Sequence, residues 1–320
     1  MPTREKVFLL AIFLAVLLIY SSWGNASDLE RQSGFLSILQ FFQEALQNGT
    51  ARFNQQTQQC PILETLNFIK SDNKGNGNVQ GVNYVLVFNP KSQDLDFKVN
   101  LGLTHKLYDK DDNDKYRRKY IPKLFKELIS DENSTLDGKQ PIAAINADYL
   151  GKDNKPEGLN FSRGVEYSGA FKGKRSSFAI SGGKPEERKA TIQIGRRKQE
   201  IWNYNVVGGN GRFYKGGKFK NICPDLGDYI CTQTSRSLVA ITSKGYVIFL
   251  VNDPNSKLEK ALYPSSFNAV LKGIAANYCL GNIQEGMLFD GGFSTGFYFE
   301  GKIYVENPHP VGSVFLIYKK

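Results

Sequence analysis

The chain has 320 residues, a net charge of +10 at pH 7 and a hydrophobic fraction of 41%, which suits one large domain or two ordinary ones with a proper core. The basic excess favours an anionic partner, such as a phosphate-bearing glycan, a cell-wall polymer or a nucleic acid, or else a solubilising surface. No basic run is interleaved with aromatic residues, which argues against a nucleic-acid partner, and no repeat of about 20–50 residues is visible, which excludes a solenoid or propeller.

The first 26 residues have the layout of a secretory signal. Arg4 and Lys6 precede an apolar run from Val7 to Tyr20, and a polar stretch then ends in Gly24-Asn25-Ala26. Small residues three and one positions before a cut after Ala26 are typical of a cleaved signal peptide. The alternative is an uncleaved anchor, because the segment approaches the length of a membrane span. We expect a protein that is secreted, periplasmic or in the cell envelope, and that contacts the membrane only through this segment, if it is uncleaved.

Four cysteines in an exported chain predict disulfides. Cys223 and Cys231 close a short loop, which favours that pair, and Cys60 with Cys279 then follows by elimination. A zinc site is disfavoured because no histidine lies near this pair.

Residues 27–60 are predicted to form a helical lead-in segment to one main domain at 61–320, because apolar residues recur with a helical period between Leu29 and Leu46. Strand patterns follow at Tyr84–Phe88 and Asp96–Leu101, and the residues from Asn89 to Ser92 predict a turn between them.

An acidic segment from Asp109 to Asp114 has several carboxylates at alternate positions, as a calcium loop does. It lacks the central glycine and the terminal glutamate of such a loop. We therefore favour a solvated loop before a helix from Tyr116 to Ile129. The sequence predicts no cofactor with certainty. The acidic segment suggests a divalent cation, such as calcium, as a possible one.

Strands dominate the predictions for the rest of the chain. A buried strand at Pro141–Ile145 leads to the polar residues Asn146 and Asp148, and glycine-rich strands and tight turns are expected between Phe161 and Cys231. Later predictions are a hairpin of Leu238–Ile241 with Tyr246–Val251, a helix opened by Pro264 and closed by Gly281, and final strands at Phe297–Phe299 and Val314–Tyr318. The pattern predicts an α+β fold with a mixed, largely antiparallel sheet, a few packed helices and a single main domain.

Asp290 is the first candidate for a catalytic residue. It ends an apolar run and is followed by Gly291 and Gly292, where backbone N–H groups can converge on an anion. Ser294 and Thr295 add hydroxyl groups. The alternative is an ordinary glycine-rich hairpin.

The segment from Gly292 to Gly296 also matches the G-x-S-x-G pattern of serine hydrolases. That pattern requires a helix after the serine, whereas the residues that follow here alternate as a hairpin does. A nucleophilic Ser294 is therefore disfavoured.

Three earlier segments supply the other groups that hydrolysis of an anionic diester needs. They contain two polar residues at a strand end, a carboxylate, and a cation at the mouth of a hairpin. These residues are Asn146 and Asp148, Glu157, and Arg236.

In their order, these four segments resemble those of the phosphodiester glycosidases. The matching residues are Ala144–Tyr149, Pro156–Leu159, Arg236–Ala240 and Phe289–Thr295, and the similarity runs from about Val79 to Tyr318. Two departures are a phenylalanine at 293, in place of the third glycine of the family, and His309 where relatives often have arginine. These departures bear on substrate preference more than on the class of reaction.

The resemblance implies an exported glycosidase that acts on a sugar-1-phosphodiester or a related anionic glycan. We expect Asp290 to be the catalytic carboxylate, with Glu157 or Asp148 as its partner, and Asn146 to orient the sugar. The phosphate is expected to be held by the cation, the backbone amides and the hydroxyl groups of the last two segments. These are Arg236, Gly291, Gly292, Ser294 and Thr295.

Two other functions are compatible with the same residues. One is a non-catalytic protein that binds envelope polysaccharide or takes part in exopolysaccharide assembly. The other is a phosphodiesterase that cleaves the P–O bond. The sequence makes no prediction about the oligomeric state.

Overall fold

The computed structural model describes residues 60–75, 78–110, 116–151, 154–168, 175–223, 234–253 and 262–320. The predicted signal and the helix predicted at Leu29–Leu46 lie outside the described residues, and the domain boundary at residue 60 stays a prediction. Residues Cys60–Lys320 form one unit. Among the described residues, no helix has the length and apolarity that a membrane span requires.

Strands make up most of the described structure. In chain order they are β1 (Leu66–Gly75), β2 (Asn78–Phe88), β3 (Leu95–Asn100), β4 (Leu103–Lys110), β5 (Tyr116–Tyr120), β6 (Ala143–Asn146), β7 (Asn160–Ser162), β8 (Val165–Ser168), β9 (Ser176–Ile180), β10 (Ala190–Ile194), β11 (Asn205–Gly208), β12 (Asn210–Lys215), β13 (Lys218–Phe219), β14 (Arg236–Thr242), β15 (Val247–Asp253), β16 (Ile283–Leu288), β17 (Gly296–Phe299), β18 (Lys302–Glu306) and β19 (Val314–Lys319). The α-helices of the described residues are α1 (Phe125–Ser130) and α2 (Phe267–Asn277).

The strands form three larger sheets and one isolated pair. The strand orders are β1-β2-β15-β14-β16-β12-β13, β10-β9-β11-β7-β8 and β18-β17-β6-β19-β3, and β4 pairs with β5. Neighbouring strands in the larger sheets run antiparallel, for example β14 with β16 and β6 with β19. The prediction of largely antiparallel strands with few helices is confirmed, but the single predicted sheet is divided into several.

The main core lies where the three sheets meet. Phe178 on β9, Phe249 on β15 and Phe315 on β19 come from different sheets, and none is exposed. Their ring centroids are 5.3–5.6 Å apart in edge-on pairs, an arrangement that aromatic rings favour. Phe289 packs against this group, with its ring centroid 6.0 Å from that of Phe249. Because Phe289 directly precedes Asp290, the core fixes the position of the candidate catalytic residue.

The larger sheet is covered on its second face by α2. Side chains of β14 alternate, so that Val239 joins the main core while Leu238 joins a second cluster with Phe267 and Leu271 of the helix. The hairpin predicted here and the helix opened by Pro264 are confirmed.

The predicted helix from Tyr116 to Ile129 is wrong in its first half. Residues Tyr116–Tyr120 form β5, which pairs with β4, and only Phe125–Ser130 are α-helical. Pro122 explains the boundary, because proline disfavours a helical conformation at Ile121 and has no N–H group for a helical hydrogen bond.

One disulfide joins Cys60 to Cys279, just beyond the end of α2, with the two Cα atoms 5.7 Å apart. This pair confirms the prediction. Cys223 is also disulfide-bonded. Its predicted partner, Cys231, lies outside the described residues.

Candidate active site

The pairing of β14 with β16 brings two of the predicted site residues together. Leu238 lies opposite Leu288, and the N–H of Phe289 donates to the carbonyl of Ser237 over 2.9 Å. Beyond Phe289 the pairing shifts by one residue, because the N–H of Gly292 donates to the carbonyl of Ser235. The segments that carry Arg236 and Asp290, which are far apart in sequence, therefore lie side by side at one end of this strand pair.

Asp290 is a half-buried carboxylate held by local hydrogen bonds. The N–H of Gly291 donates to its Oδ1 over 2.9 Å, and the hydroxyl of Ser294 also hydrogen-bonds it. The pKa of Asp290 is raised to about 7, chiefly by burial and to a smaller extent by the negative charges of Asp148 and Glu157, and the two hydrogen bonds oppose the shift. Near neutral pH the group therefore exists in both protonation states.

Arg236 lies against the turn that carries Asp290. A Cβ atom added to Gly291 would be 3.9 Å from Cδ of Arg236 and 2.8 Å from the carbonyl oxygen of Ser235, so only glycine allows this close approach. Arg236 is 5% exposed. Burial lowers the pKa of its guanidinium, and the nearby Tyr149 opposes that shift.

Asn146 connects the turn to two sheets from inside the protein. Its Nδ2 donates to the carbonyl of Asp290 over 2.7 Å, and its Oδ1 accepts from the hydroxyl of Ser237 and the N–H of Gly296. Asn146 has no exposed surface. It positions Asp290, and the role in orienting the sugar that the sequence indicated stays a prediction.

The amides predicted to bind phosphate are used inside the turn. The N–H of Gly291 donates to Asp290, and that of Gly292 donates to the carbonyl of Ser235 over 2.9 Å. Thr295 is fully buried, and its hydroxyl donates to the carbonyl of Gly292. These groups, like Ser294, shape the turn around the carboxylate, and their predicted contact with phosphate stays a prediction.

Asp148 is a buried carboxylate enclosed by the backbone. It accepts hydrogen bonds from the N–H groups of Tyr149 and Gly158 and from Nδ2 of Asn160, at 2.6–2.8 Å. A Cβ atom on Gly208 would lie 2.4 Å from its Cγ, so glycine is required there. Burial raises the pKa of Asp148 to about 6 despite the three hydrogen bonds. With no exposed surface, Asp148 acts on the site through its charge and through the loop that it holds.

Glu157 faces the site as half of an ion pair. Its carboxylate binds the guanidinium of Arg175, which also lies 5.0 Å from the centre of the Tyr149 ring. Sequence reasoning missed both Arg175 and the role of Tyr149. Arg175 belongs to none of the four motif segments, and only the folded chain brings it beside Glu157.

Comparison with known proteins identifies the family of the chain. The sequence profile of the family described as phosphodiester glycosidase matches residues 139–318, which is more than half of the chain and includes all four segments of the site. The chain belongs to this family.

Two solved structures of low sequence identity share the fold of this chain. The auto-inhibited catalytic domain of zebrafish N-acetylglucosamine-1-phosphodiester alpha-N-acetylglucosaminidase matches with a TM-score of 0.57 and 13% identity, over 82% of this chain and 85% of that one. A hypothetical protein from Synechocystis matches with a TM-score of 0.56 and 12% identity, over 82% of this chain and 64% of its own. No match was found among curated proteins.

The geometry of the turn differs from that of a serine hydrolase. Residues Gly292–Ser294 form a short 3-10 turn, and strand β17 follows in place of the helix that a nucleophilic serine requires. As the sequence indicated, Ser294 lacks the setting of a nucleophile.

Metal binding is not apparent in the described part of this phosphodiester glycosidase. No group of three or more histidine, cysteine, aspartate or glutamate side chains there is arranged to hold a metal ion. Residues 111–114 of the predicted calcium segment lie outside the described residues, so the possible cation stays a prediction.

The substitution Asp290→Asn is expected to change how stability depends on pH. Because burial raises the pKa of Asp290 from 3.8 to about 7, the folded protein binds this proton more tightly than the unfolded chain. The contribution of this bound proton to the free energy of unfolding is fully present below about pH 4 and is lost as the pH rises through about 7. Relative to the wild type, the variant should gain roughly 2–3 kcal/mol in the free energy of unfolding between about pH 5 and about pH 8. Denaturant unfolding of both proteins measures this, and a pH-independent difference would contradict the raised pKa.

Proposed function

We propose that this protein is an exported enzyme that hydrolyses the glycosidic bond of a sugar-1-phosphodiester. The observation that carries the proposal is the packing of the buried cation Arg236 against the glycine-rich turn that carries Asp290, a carboxylate whose pKa is raised by burial to about 7. A carboxylate of this pKa can exchange protons at neutral pH, and a cation beside it suits an anionic substrate.

The leaving group determines which catalytic groups the reaction needs. A phosphate monoester leaves the anomeric carbon far more readily than a sugar hydroxyl does, so the strong general acid of ordinary glycoside hydrolysis is less necessary. One carboxylate that accepts a proton is then sufficient. This fits a site in which Asp148 is enclosed by protein donors and Glu157 is ion-paired.

In the proposed step, Asp290 accepts a proton from the attacking water. The water oxygen forms a bond to the anomeric carbon, the bond from that carbon to the phosphate oxygen breaks, and its electron pair goes to the phosphate. Arg236 is proposed to hold the phosphate with charge-assisted hydrogen bonds. Arg175 is a second cation near the same group of carboxylates.

Export is part of the proposal. It is supported by the signal-like first 26 residues and by the disulfide between Cys60 and Cys279, since disulfides persist in oxidising compartments. The name of the zebrafish relative indicates an N-acetylglucosamine-1-phosphodiester as the first substrate to try.

Hydrolysis in oxygen-18-labelled water tests the bond that is broken. Cleavage at the anomeric carbon is expected to put the label on the sugar hydroxyl and none on the phosphate, which mass spectrometry of both products distinguishes. Label on the phosphate would identify a phosphodiesterase. Binding of the diester with no turnover would instead identify a non-catalytic glycan-binding protein.

A further inference from the structure

Tyr149 connects several segments of the candidate site and is held by its backbone on both sides. Its N–H donates to Oδ1 of Asp148 over 2.8 Å, and its carbonyl accepts from the N–H of Glu157 over 3.0 Å. Its hydroxyl group donates to the carbonyl of Phe289, the residue before Asp290, over 3.5 Å. The half-buried side chain is therefore tied at both ends before any ligand binds.

The side chain of Tyr149 interacts with two guanidinium groups from different parts of the fold. The guanidinium carbon of Arg175 lies 5.0 Å from the centre of the ring, a distance at which the ring attracts a cation. Burial lowers the pKa of Arg236, and the charge of the Tyr149 hydroxyl group opposes that shift. Arg175 directly precedes β9 and Arg236 begins β14, and these strands belong to different sheets. Tyr149 is the residue that links them.

Arg175 is paired with a carboxylate that an incoming anion can replace. Two guanidinium groups near one another repel unless an anion lies close to them, and Glu157 supplies that anion for Arg175. The side chains of Arg175 and Glu157 are 21% and 29% exposed, so an anion from solvent can reach the pair. A guanidinium group binds the oxygen atoms of phosphate in the same two-pronged geometry as those of a carboxylate.

We infer that Tyr149 is a positioning residue that joins Arg175 to Arg236 in one phosphate-binding pair. The ring holds the guanidinium of Arg175 in place, and the phosphate takes the place of the Glu157 carboxylate as its partner. The inference rests on the proposed function, in which Arg236 holds the phosphate. It makes Arg175 the second cation of that site and Tyr149 the residue that keeps it there.

Calorimetric titration with methyl phosphate at pH 7 tests the inference without requiring turnover. Tyr149→Leu should weaken binding about tenfold, because the guanidinium of Arg175 loses the ring that holds it. Tyr149→Phe keeps the ring and should stay within about threefold of the wild type. Arg175→Gln is compared in the Glu157→Gln protein, so that no unpaired carboxylate repels the ligand, and it should also weaken binding about tenfold.

A double-mutant cycle separates the positioning role from a purely structural one. In the protein that carries both Glu157→Gln and Arg175→Gln, adding Tyr149→Leu should change the affinity by less than about twofold, because the ring then has no cation to hold. The matched control is Tyr204→Leu. Its ring carries the guanidinium of Arg163 at 5.9 Å, outside the candidate site, and its loss should leave the affinity for methyl phosphate unchanged.

A tenfold loss in Tyr149→Leu that persists without Arg175 would mean that the ring only supports the loop, and would overturn the inference. The same conclusion follows if the wild type does not bind methyl phosphate, if Arg175→Gln has no effect, or if Tyr149→Phe loses as much as Tyr149→Leu. The last two comparisons remain decisive even if Tyr149→Leu does not fold, because a tenfold loss in Tyr149→Phe alone contradicts the role of the ring. A wild type that binds methyl phosphate through this pair and hydrolyses no sugar-1-phosphodiester would refute the proposed function and leave the inference standing.

Discussion

Replacing Asp290 with asparagine is expected to lower kcat for a sugar-1-phosphodiester by about 10²–10⁴-fold, because the amide cannot accept the proton of the attacking water. The side chain keeps its size, and its oxygen can still accept the hydrogen bond from Gly291. The substrate should therefore still bind. Steady-state kinetics on the variant measure the loss, which we expect in kcat more than in KM.

Glu285→Gln is the matched control for this experiment. Glu285 lies on β16, the strand that leads to Asp290, and it is partly buried and ion-paired with Arg212. Converting it to the amide removes a comparable charge without touching the site. We expect its kcat to stay within about twofold of the wild type. If Asp290→Asn retained more than about a tenth of the wild-type kcat, Asp290 would not be the catalytic base.

Local sequence patterns were sufficient to predict the secondary-structure elements that lead into the site. The hairpin of β14 and β15 and the helix α2 were predictable because their apolar periods and turn residues agree with their burial. The tyrosine-rich β5 was not predictable, because its conformation depends on pairing with β4. For the same reason β1, a polar strand held by β2, gave no signal of its own.

Within the site, the sequence indicated candidate residues but not the hydrogen-bond partners that surround them. The order of the four segments indicated that Asp290 and Arg236 belong to one site, and the strands next to them, β14 and β16, are paired. Whether a polar group faces a ligand depends on partners that are distant in sequence. The amide of Asn146 is taken up by groups 91, 144 and 150 residues away, which no local pattern reveals.

The turn also shows why a glycine-rich motif does not by itself predict an anion site. Its backbone N–H groups can converge on a bound anion, but in this chain Gly291 and Gly292 direct theirs to Asp290 and to Ser235. Gly291 is needed because a Cβ atom there would lie 2.8 Å from the carbonyl oxygen of Ser235, and Gly292 because its φ is +60°. In the proposed function, the guanidinium group of Arg236 is therefore the first candidate for binding the phosphate.

Arg236→Gln is expected to lower kcat/KM for the phosphodiester by about 10²–10³-fold, because it removes the cation beside Asp290 and with it the charge-assisted hydrogen bonds to the phosphate. A neutral activated glycoside of the same sugar, such as a nitrophenyl glycoside, has no phosphate to lose. Its slow hydrolysis should change by less than about threefold. Measuring kcat/KM for both substrates separates a role in binding charge from a role in folding.

Two further variants sharpen this result. Arg236→Lys keeps the charge but not the two-pronged geometry of the guanidinium, so we expect it to recover only part of the lost activity. Arg212→Gln removes an ion-paired arginine of the same sheet and should leave the ratio of the two kcat/KM values unchanged. An equal loss on both substrates in Arg236→Gln would mean that the buried guanidinium only supports the turn. In that case the phosphate-binding role would pass to Arg175, the other guanidinium near these carboxylates.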